Sequence, residues 1–384
     1  MYQAFNHTHP FVIKIPKIDN KNISIDNKTD NIIFSSYINY PLFALGYHSY
    51  IHRTRSAMAI TKKPEYKTNF YYVVNPYESE ISNYEDDIKT LTKKYFKYNK
   101  DISNEFLNIW EILFSFDIIN KNKINASINN SELEDIFNLY KDKLNESYNF
   151  KTSTTMNNKN DFDLIISNEH ITVEDENFIE HHFYKAFLTT IIKILKNQSE
   201  NGNAVIKFYD SMTIVTLKLI CLISSFYDDS LIYKPFISRQ SDTERYLILK
   251  NFKASKNMNT LIKTLEDVIK LIDNNKNYIS DIFPEMVLSK EFMGIFKFVN
   301  IKLVNNQQIM INEIIKYIKE NNYFGDKYHI FRDKQIESTK WWITTFYPPS
   351  KNLYKKSEED ISKLYKTTQE KLNLECKKFI EIMI

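Results

Sequence analysis

The sequence predicts an α/β fold, a Rossmann-like arrangement whose sheet is mostly parallel with an antiparallel edge strand. Three observations predict it. A hydrophobic content of 43% in 384 residues is enough for a sizeable core. Between residues 161 and 252, strand-like runs alternate with helical runs long enough to cross over a sheet. The polar stretch SRQSDTE before the last run is too short for a crossover, so that run should return antiparallel at the sheet edge.

Six elements follow one another in this part of the chain. They are the strand Asp163–Ser167, the helix Glu176–Lys196, the strand Ala204–Phe208, the helix Thr213–Tyr227, and the strands Leu231–Pro235 and Arg245–Phe252. Each strand is rich in β-branched and aromatic residues, and each helix repeats its apolar residues at helical spacing.

Two helices and a strand are predicted ahead of them. Apolar residues recur every three or four positions from Ile102 to Ile119, which indicates a helix packed on a core. A second helix should begin at Ser131, because the Ser-Glu-Leu-Glu sequence there is a capping box. The short run Ile124–Ile128 between them is a candidate strand.

We therefore divide the chain into three parts. Residues 1–100 form an N-terminal accessory region with a strand-like run, Phe70–Val74, and a more helical stretch, Tyr84–Tyr98. Residues 101–253 form the α/β domain. Residues 254–384 carry further apolar helical repeats and form a helical C-terminal extension.

Composition excludes several classes of protein. The formal charge is only +3, so any contact with nucleic acid has to come from a local patch. Two cysteines, Cys221 and Cys376, cannot build a disulfide framework or a metal cluster, and they are typical of a reduced, cytoplasmic protein. The most apolar segment, Met212–Tyr227, is interrupted by Lys218 and is too short to cross a bilayer. We expect no membrane association.

The histidines do not predict a metal site. His48 and His52 are four residues apart on a possible helix face, but no third ligand follows at a suitable spacing. The adjacent His181 and His182 point in different directions on a helix. We expect no metal.

Polar residues at the predicted sheet rim are candidates for chemistry. Asn168 follows one strand, Lys207 lies near the end of the next, and Glu244 begins the antiparallel one. Ligands bind beyond the carboxyl ends of parallel strands, so these residues should meet at one rim. A buried lysine with a lowered pKa beside a carboxylate could remove the proton of a ribose hydroxyl. The alternative is that both charged residues are simply exposed at strand ends.

Two basic stretches contain aromatic residues. The first holds Arg53, Arg55, Lys62 and Lys63 close to two tyrosines, a composition that suits phosphate contacts and base stacking. The second, from residue 327 to residue 356, includes a Trp-Trp pair. RNA contact and burial in a core or interface are both open for each stretch.

The block GNAVIKFYDSMTIVTLKLICLISSFYDDSLIYKPFISRQSDTERYLILKNF resembles the second half of the FtsJ-like cap and RNA 2′-O-methyltransferases. That family typically reads G-G-x-x-x-x-K, then a helix, then K-P-x-x-S-R-x-x-x-S/T-E-x-Y. The matching residues are Lys207, Lys234, Pro235, Ser238, Arg239, Thr243, Glu244 and Tyr246. Weaker similarities to members from large cytoplasmic DNA viruses lie in FLNIWEILFSFDII, GYHSYIHRTRSAM, YYVVNPYE and QIESTKWWITTFYP.

The resemblance implies a catalytic tetrad, Lys-Asp-Lys-Glu, of which half is present. Lys207 and Glu244 match the second lysine and the glutamate. The family aspartate falls at Asn168, and the first lysine falls near Asn108. Arg239, in the matching Ser-Arg pair, is a further candidate for RNA contact.

The resemblance also implies a site for S-adenosylmethionine, which the sequence carries in degenerate form. Where the family has glycines, this chain reads Asn129-Asn130-Ser131 after Ile128. Asparagine side chains enter the donor space, and two glutamates in the following helical turn oppose the donor's carboxylate. About seventeen residues separate that helix from Asp163, too few for the strand-helix-strand that normally frames the donor's adenosine.

Three hypotheses follow for the function. The first is a catalytically inactive 2′-O-methyltransferase homologue that needs no cofactor and serves as an RNA-binding or scaffold subunit of a viral capping, transcription or virion assembly. In that case a protein partner such as an active methyltransferase is expected, in the host cytoplasm or the virion. The second is an active S-adenosylmethionine-dependent enzyme with a divergent donor site. The third is a pure protein-interaction module.

Overall fold

The computed structural model describes most of the chain. The described residues are 10–18, 31–40, 45–59, 71–75, 78–81, 93–95, 97, 102–119, 121–128, 132–144, 149–153, 162–255, 257–320, 325–348 and 351–383. Within them no helix is long and apolar enough to cross a membrane.

Eleven strands and nine helices form within these ranges. The strands are β1 (Phe11–Ile15), β2 (Ile32–Ser35), β3 (Tyr71–Asn75), β4 (Glu78–Ile81), β5 (Lys123–Ile128), β6 (Asn149–Ser153), β7 (Phe162–Ser167), β8 (Gln198–Phe208), β9 (Tyr227–Lys234), β10 (Arg245–Phe252) and β11 (Tyr278–Ile282). The helices are α1 (Leu45–Ala57), α2 (Asn104–Ser115), α3 (Glu132–Leu144), α4 (Ile179–Asn197), α5 (Ile214–Ser224), α6 (Met258–Asp273), α7 (Lys290–Lys319), α8 (Asp326–Phe346) and α9 (Lys351–Met383).

Seven strands form the central sheet, in the order β6-β5-β7-β8-β10-β9-β1. Strands β5 to β9 point the same way, while β10 and β1 run against them. The predicted fold class is confirmed. The prediction that the last run returns antiparallel is also confirmed, but its place is different. Strand β10 lies between β8 and β9, and the antiparallel edge strand is β1, which the N-terminal region contributes.

Helices cover both faces of the sheet. On one face, α4, α5, α6 and the first half of α7 build a core with Ile165 of β7 and Ile206 of β8. On the other, α2, α3, α8 and α9 pack on Leu164, Ile166 and Val205 of the same strands. Successive strand residues point to opposite faces, so the almost uninterrupted apolar runs of β7 and β8 fit this double coverage.

The interval between α3 and β7 holds more structure than the sequence predicted. Strand β6 forms there and pairs in parallel with β5. One strand of the strand-helix-strand unit, for which the interval was predicted to be too short, is therefore present. The residues between β6 and β7, 154–161, lie outside the described ranges. One face of β5 is polar and open only at its start: Lys123 is exposed, Asn125 half-buried and Ser127 buried, while Ile124, Ala126 and Ile128 on the other face are buried.

The terminal parts of the chain pack against the α/β domain. Helix α1 contacts α7, and the 33-residue helix α9 contacts β1 and α7. Strand β2 pairs with β11 in a separate two-stranded sheet. The predicted strand Phe70–Val74 is found as β3, and most of the predicted helical stretch Tyr84–Tyr98 lies outside the described residues. The C-terminal part is helical apart from β11, as predicted.

Candidate active site

Lys207 lies in a row of residues at the rim of the sheet. It pairs with Tyr246 across the antiparallel β8–β10 ladder. In the parallel β7–β8 ladder Ser167 pairs with Ile206, so Asn168 and Lys207, one residue further along each chain, are level with each other. Neighbouring strands lie about 4.8 Å apart, which places these two positions side by side on one face. The predicted approach of the strand ends is confirmed.

Two carboxylates surround the ammonium group of Lys207. Glu244 Oε2 lies 3.4 Å from Lys207 Nζ, and Glu105 Oε1 of α2 lies 3.3 Å from it. The lysine side chain is 2% exposed, that of Glu244 12% and that of Glu105 27%. The ammonium is therefore held between two partly shielded anions, which rules out the alternative of a solvated strand-end lysine.

The charges around Lys207 raise its pKa. Burial alone lowers the pKa of the ammonium, but Glu244 and Glu105 outweigh that effect and raise it above the ordinary value. The same contact keeps the pKa of Glu105 below its usual range, although burial acts in the opposite direction. The prediction of a lowered lysine pKa was wrong, because the sequence did not reveal the second carboxylate.

Asn108 takes part in the same cluster. It is fully buried on α2, one helical turn after Glu105, and its Nδ2 donates to Glu244 Oε1 at 2.9 Å. The hydroxyl of Ser238 donates to the same oxygen at 3.0 Å. An amide thus stands at the predicted lysine position: it keeps a donor to the glutamate but brings no positive charge.

Lys234 shapes the loop that delivers Glu244. Its ammonium donates to the carbonyl oxygens of Asp242 and Glu244, at 3.0 and 3.1 Å, and to the hydroxyl of Ser238 at 3.3 Å. The side chain is buried. Two of the matching residues, Lys234 and Ser238, therefore hold the backbone and the carboxylate of Glu244.

A cleft of about 330 Å³ opens in front of Lys207. Its wall residues are Asn104, Glu105, His170, Ile171, Thr172, Val173, Glu176, Ile179, Lys207, Tyr209, Asp242, Thr243 and Glu244. Four of these are carboxylates and one is a lysine, so the cleft is predominantly anionic. The ring of Tyr209 lies 5.8 Å from Lys207 Nζ and forms part of the floor.

The predicted donor turn, Asn129-Asn130-Ser131, lies outside the described residues. Beside Ile128, which precedes it, is a second cavity of about 410 Å³. Ser127 and Ser167, at the ends of β5 and β7, line it on the face of the sheet opposite Lys207. Space for a small molecule therefore exists next to the donor position.

The predicted RNA contacts differ in accessibility. Arg53 is exposed on α1, Arg239 is half-buried, and Lys62 and Lys63 lie outside the described residues. Arg55 is 6% exposed, and its guanidinium bonds to Asp210 and Gln307. The prediction that Arg55 contacts RNA was wrong, because this guanidinium is used inside the protein.

Arg55 belongs to a buried ion cluster that attaches the N-terminal region to the domain. Asp210, just after β8, lies 2.8 Å from Arg55 and 3.3 Å from Arg245 of β10. Gln307 of α7 donates to the carbonyl oxygen of Ser241 in the loop before Glu244. The cluster therefore braces both strands that carry the candidate site.

A second buried polar cluster, around the carboxyl group of Glu111, attaches the C-terminal helices. Glu111 of α2 is fully buried and accepts hydrogen bonds from Trp342 Nε1 at 2.7 Å and from the backbone N–H groups of Phe236 and Ile237. The hydroxyl of Tyr233 also donates to it, at 2.5 Å. The Trp-Trp stretch is thus partly core: Trp342 is buried and Trp341 half-buried.

The histidines pack on one another and on aromatic rings. The rings of His48 and His52 are 3.8 Å apart, and Tyr40 lies against both His48 and His181. Among the described residues, no group of three or more histidine, cysteine or carboxylate side chains is arranged to hold a metal ion.

Sequence comparison identifies proteins that are similar to this chain. Residues 107–252 match the model of the FtsJ-like methyltransferases. Uncharacterized protein R383 of Acanthamoeba polyphaga mimivirus is 25% identical over 347 residues, which cover 89% of this chain and 92% of that protein.

Two relatives are similar over shorter segments. Cap-specific mRNA (nucleoside-2′-O-)-methyltransferase 1 of Dictyostelium discoideum is 33% identical over 101 residues, 26% of this chain and 13% of that protein. Probable methyltransferase EP424R of African swine fever virus is 34% identical over 96 residues, 24% of this chain and 22% of that protein. The similarity to these two proteins covers only a small part of their length.

Proposed function

We propose that this chain, in which residues 107–252 form an FtsJ-like methyltransferase domain, is a non-catalytic homologue of the RNA 2′-O-methyltransferases. In this role it binds RNA and a protein partner within a viral capping, transcription or virion assembly, in the host cytoplasm or the virion. The observation that carries the proposal is the charge arrangement around Lys207.

Proton removal from a ribose hydroxyl requires a neutral amine. A neighbouring cation would favour that form, but position 108, where the family has its first lysine, holds a neutral amide. Glu244 and Glu105 together favour the ammonium form. Lys207 is therefore a cation at neutral pH, which suits positioning better than proton abstraction.

The sequence of the predicted donor turn also supports a non-catalytic role. Close approach of a backbone to a ligand is easiest for glycine. The four glycines of the sequence are Gly46, Gly202, Gly294 and Gly325, so none stands between β5 and α3. Asparagine in place of glycine adds a side chain at a position where the family's donor motif has none.

Methyl transfer tests the catalytic half of the proposal. Purified chain, capped RNA and S-adenosylmethionine with a tritiated methyl group should give no labelled RNA, with an active 2′-O-methyltransferase as positive control. The variant Asn108→Lys/Asn168→Asp restores the tetrad residues and shows whether the rest of the site is competent. Labelled RNA from the unaltered chain would contradict the proposal.

RNA binding is tested separately. Filter binding at several salt concentrations should give an affinity that falls steeply with salt, because phosphate contacts release counterions. Arg53→Ala should weaken binding and reduce the slope, while Lys263→Ala, which removes an exposed cation of α6 outside the cleft, is the control. The absence of any salt-dependent binding would favour a pure protein-interaction module.

The second cavity favours another candidate function. It adjoins Ile128 at the crevice end of β5 and β7, where ligands of open α/β sheets bind, and its volume of about 410 Å³ falls in the range of small-molecule sites. An active enzyme with a divergent donor site would use it. In that case the labelled RNA formed by the unaltered chain would disappear in Lys207→Ala.

A further inference from the structure

Lys207 has two carboxylate partners, although the position where the family keeps its aspartate holds Asn168. One partner, Glu244, is the tetrad glutamate. The other, Glu105, comes from a different element, the first turn of α2, and lies 3.3 Å from the ammonium. The sequence pattern assigns no role to it.

We propose that Glu105 takes the place of the aspartate that the family has at position 168. In this proposal it is a positioning residue: it holds the Lys207 ammonium beside Glu244 from the α2 side of the cleft. The inference deepens the proposed function, because it rests on the interpretation of these residues as an altered tetrad.

The geometry of α2 supports this assignment. Ser103 caps the helix, and its hydroxyl accepts from the backbone N–H of Phe106, which fixes the first turn. Glu105 and Asn108 are three residues apart, so they lie on one face of the helix. From that face, Glu105 contacts Lys207 and Asn108 contacts Glu244.

The strand geometry supports it as well. Because Asn168 and Lys207 are level on neighbouring parallel strands and share a face, a carboxylate at position 168 would also stand next to the ammonium. The two positions thus approach Lys207 from different sides, from the adjacent strand and from the overlying helix. One carboxylate can replace the other in neutralising the lysine.

The charge balance changes in the process. The family tetrad has two cations and two anions, whereas this cluster has Lys207 against Glu105 and Glu244. Glu105 thus replaces the lost anion, while position 108 carries a neutral amide in place of the cation. This is the charge pattern expected for a site that holds its lysine protonated.

The test measures the fraction of neutral Lys207 amine without RNA or donor. Trace acetylation with acetic anhydride from pH 7 to pH 10, followed by mass spectrometry of the peptide that contains Lys207, reports that fraction. In Glu105→Gln, labelling at pH 9 should rise about tenfold, because one of the two carboxylates that favour the ammonium form is lost. Glu176→Gln, which removes an exposed carboxylate of the same cleft, should change it by less than about twofold.

A second substitution tests whether Glu105 really replaces the family aspartate at position 168. Glu105→Gln/Asn168→Asp should return Lys207 labelling to within about threefold of the unaltered chain, and Asn168→Asp alone should lower it. The proposal is overturned if Glu105→Gln leaves the labelling of Lys207 unchanged. It is also overturned if Asn168→Asp changes the labelling neither in the unaltered chain nor in Glu105→Gln. Thermal unfolding of each variant shows whether it is folded. If Glu105→Gln is misfolded, the labelling of Lys207 in Asn168→Asp, made in the otherwise unaltered chain, tests the proposal instead.

Failure here is distinguishable from failure of the proposed function. Labelling of Lys207 contains no methyl-transfer step. Methyl transfer by the unaltered chain would contradict the proposed function but would not affect the labelling of Lys207. Unchanged labelling of Lys207 in Glu105→Gln would contradict the role of Glu105 but would not affect the methyl-transfer result.

Discussion

The two halves of the central sheet differ in how they are covered. In β10, positions 245–249 are all buried, as are positions 202–208 of β8. In β5, buried Ile124 and Ala126 alternate with exposed Lys123 and half-buried Asn125, and β6 has no fully buried residue. The half that carries Lys207 and Glu244 is thus enclosed, whereas the half below the predicted donor turn has one open polar face.

The difference shows which part of the domain is held rigidly. Buried polar side chains from outside the α/β domain reach the enclosed half: Arg55 of α1 pairs with Asp210, and the indole N–H of Trp342 in α8 donates to Glu111. The lysine-glutamate pair therefore lies on strands that are braced by both terminal parts of the chain. Substitutions in the two halves should differ accordingly.

The largest effect is expected for Glu111→Ala. It leaves the indole N–H of Trp342 and two backbone N–H groups buried without their acceptor, so the free energy of unfolding should fall by about 4 kcal/mol. Urea unfolding followed by tryptophan fluorescence measures it. Exposed Glu176→Ala is the control, and equal stability of both variants would show that the C-terminal helices do not brace the domain.

Arg55→Ala should be the next most costly change. It leaves Asp210 buried with Arg245 as its remaining guanidinium partner, and breaking a buried ion pair costs about 3 kcal/mol. The neighbouring Arg53→Ala, on the exposed face of the same helix, should cost less than about 0.5 kcal/mol. If the two arginine variants unfold at the same urea concentration, the ion cluster adds nothing to the bracing.

Acidification should weaken the attachment of α1. Burial lowers the pKa of His52 to about 4, and burial together with His182 and His48 lowers that of His181 to about 4. Since unfolded histidine has a pKa of about 6.5, the unfolded chain binds more protons between these values. The contribution to stability is therefore complete above about pH 6.5 and is lost as the pH falls towards 4.

This pH dependence is checked by the thermal midpoint at pH 7.5 and pH 5. The midpoint should fall on acidification, and His181→Phe, which removes one of the titrating groups, should reduce the difference. An identical difference in both proteins would mean that His181 does not titrate in this way.

The smallest effect is expected on the open face of β5. Lys123→Ala should change the free energy of unfolding by less than about 0.5 kcal/mol, because the side chain is exposed. Leu247→Ala in β10, where the side chain is fully buried, should cost about 3 kcal/mol in the same assay. A large loss in Lys123→Ala would show that this face is covered in solution.

The sequence predicted the local elements and half of the site. Strands β7 to β10 and the pair Lys207 and Glu244 follow from periodicity and a dense motif, which are local properties. The insertion of β10 between β8 and β9 does not follow from local pattern, and neither does the edge strand β1, which pairs with β9 some 220 residues later in the chain.

The charged residues that the sequence analysis did not place in the site depend on long-range contacts in the same way. Asp210 and Arg55 are 155 residues apart, and only the fold brings them together. Glu105 lies one turn before position 108 and just outside the segment FLNIWEILFSFDII that carries the resemblance. Glu111 gave a usable signal: it is a lone carboxylate inside the apolar helical run FLNIWEILF, where burial requires several donors.

Calorimetric titration of the purified chain with S-adenosylmethionine tests the central claim most directly, since methyl transfer requires the donor. The account predicts no heat of binding up to millimolar donor. Saturable binding in the micromolar range would contradict it.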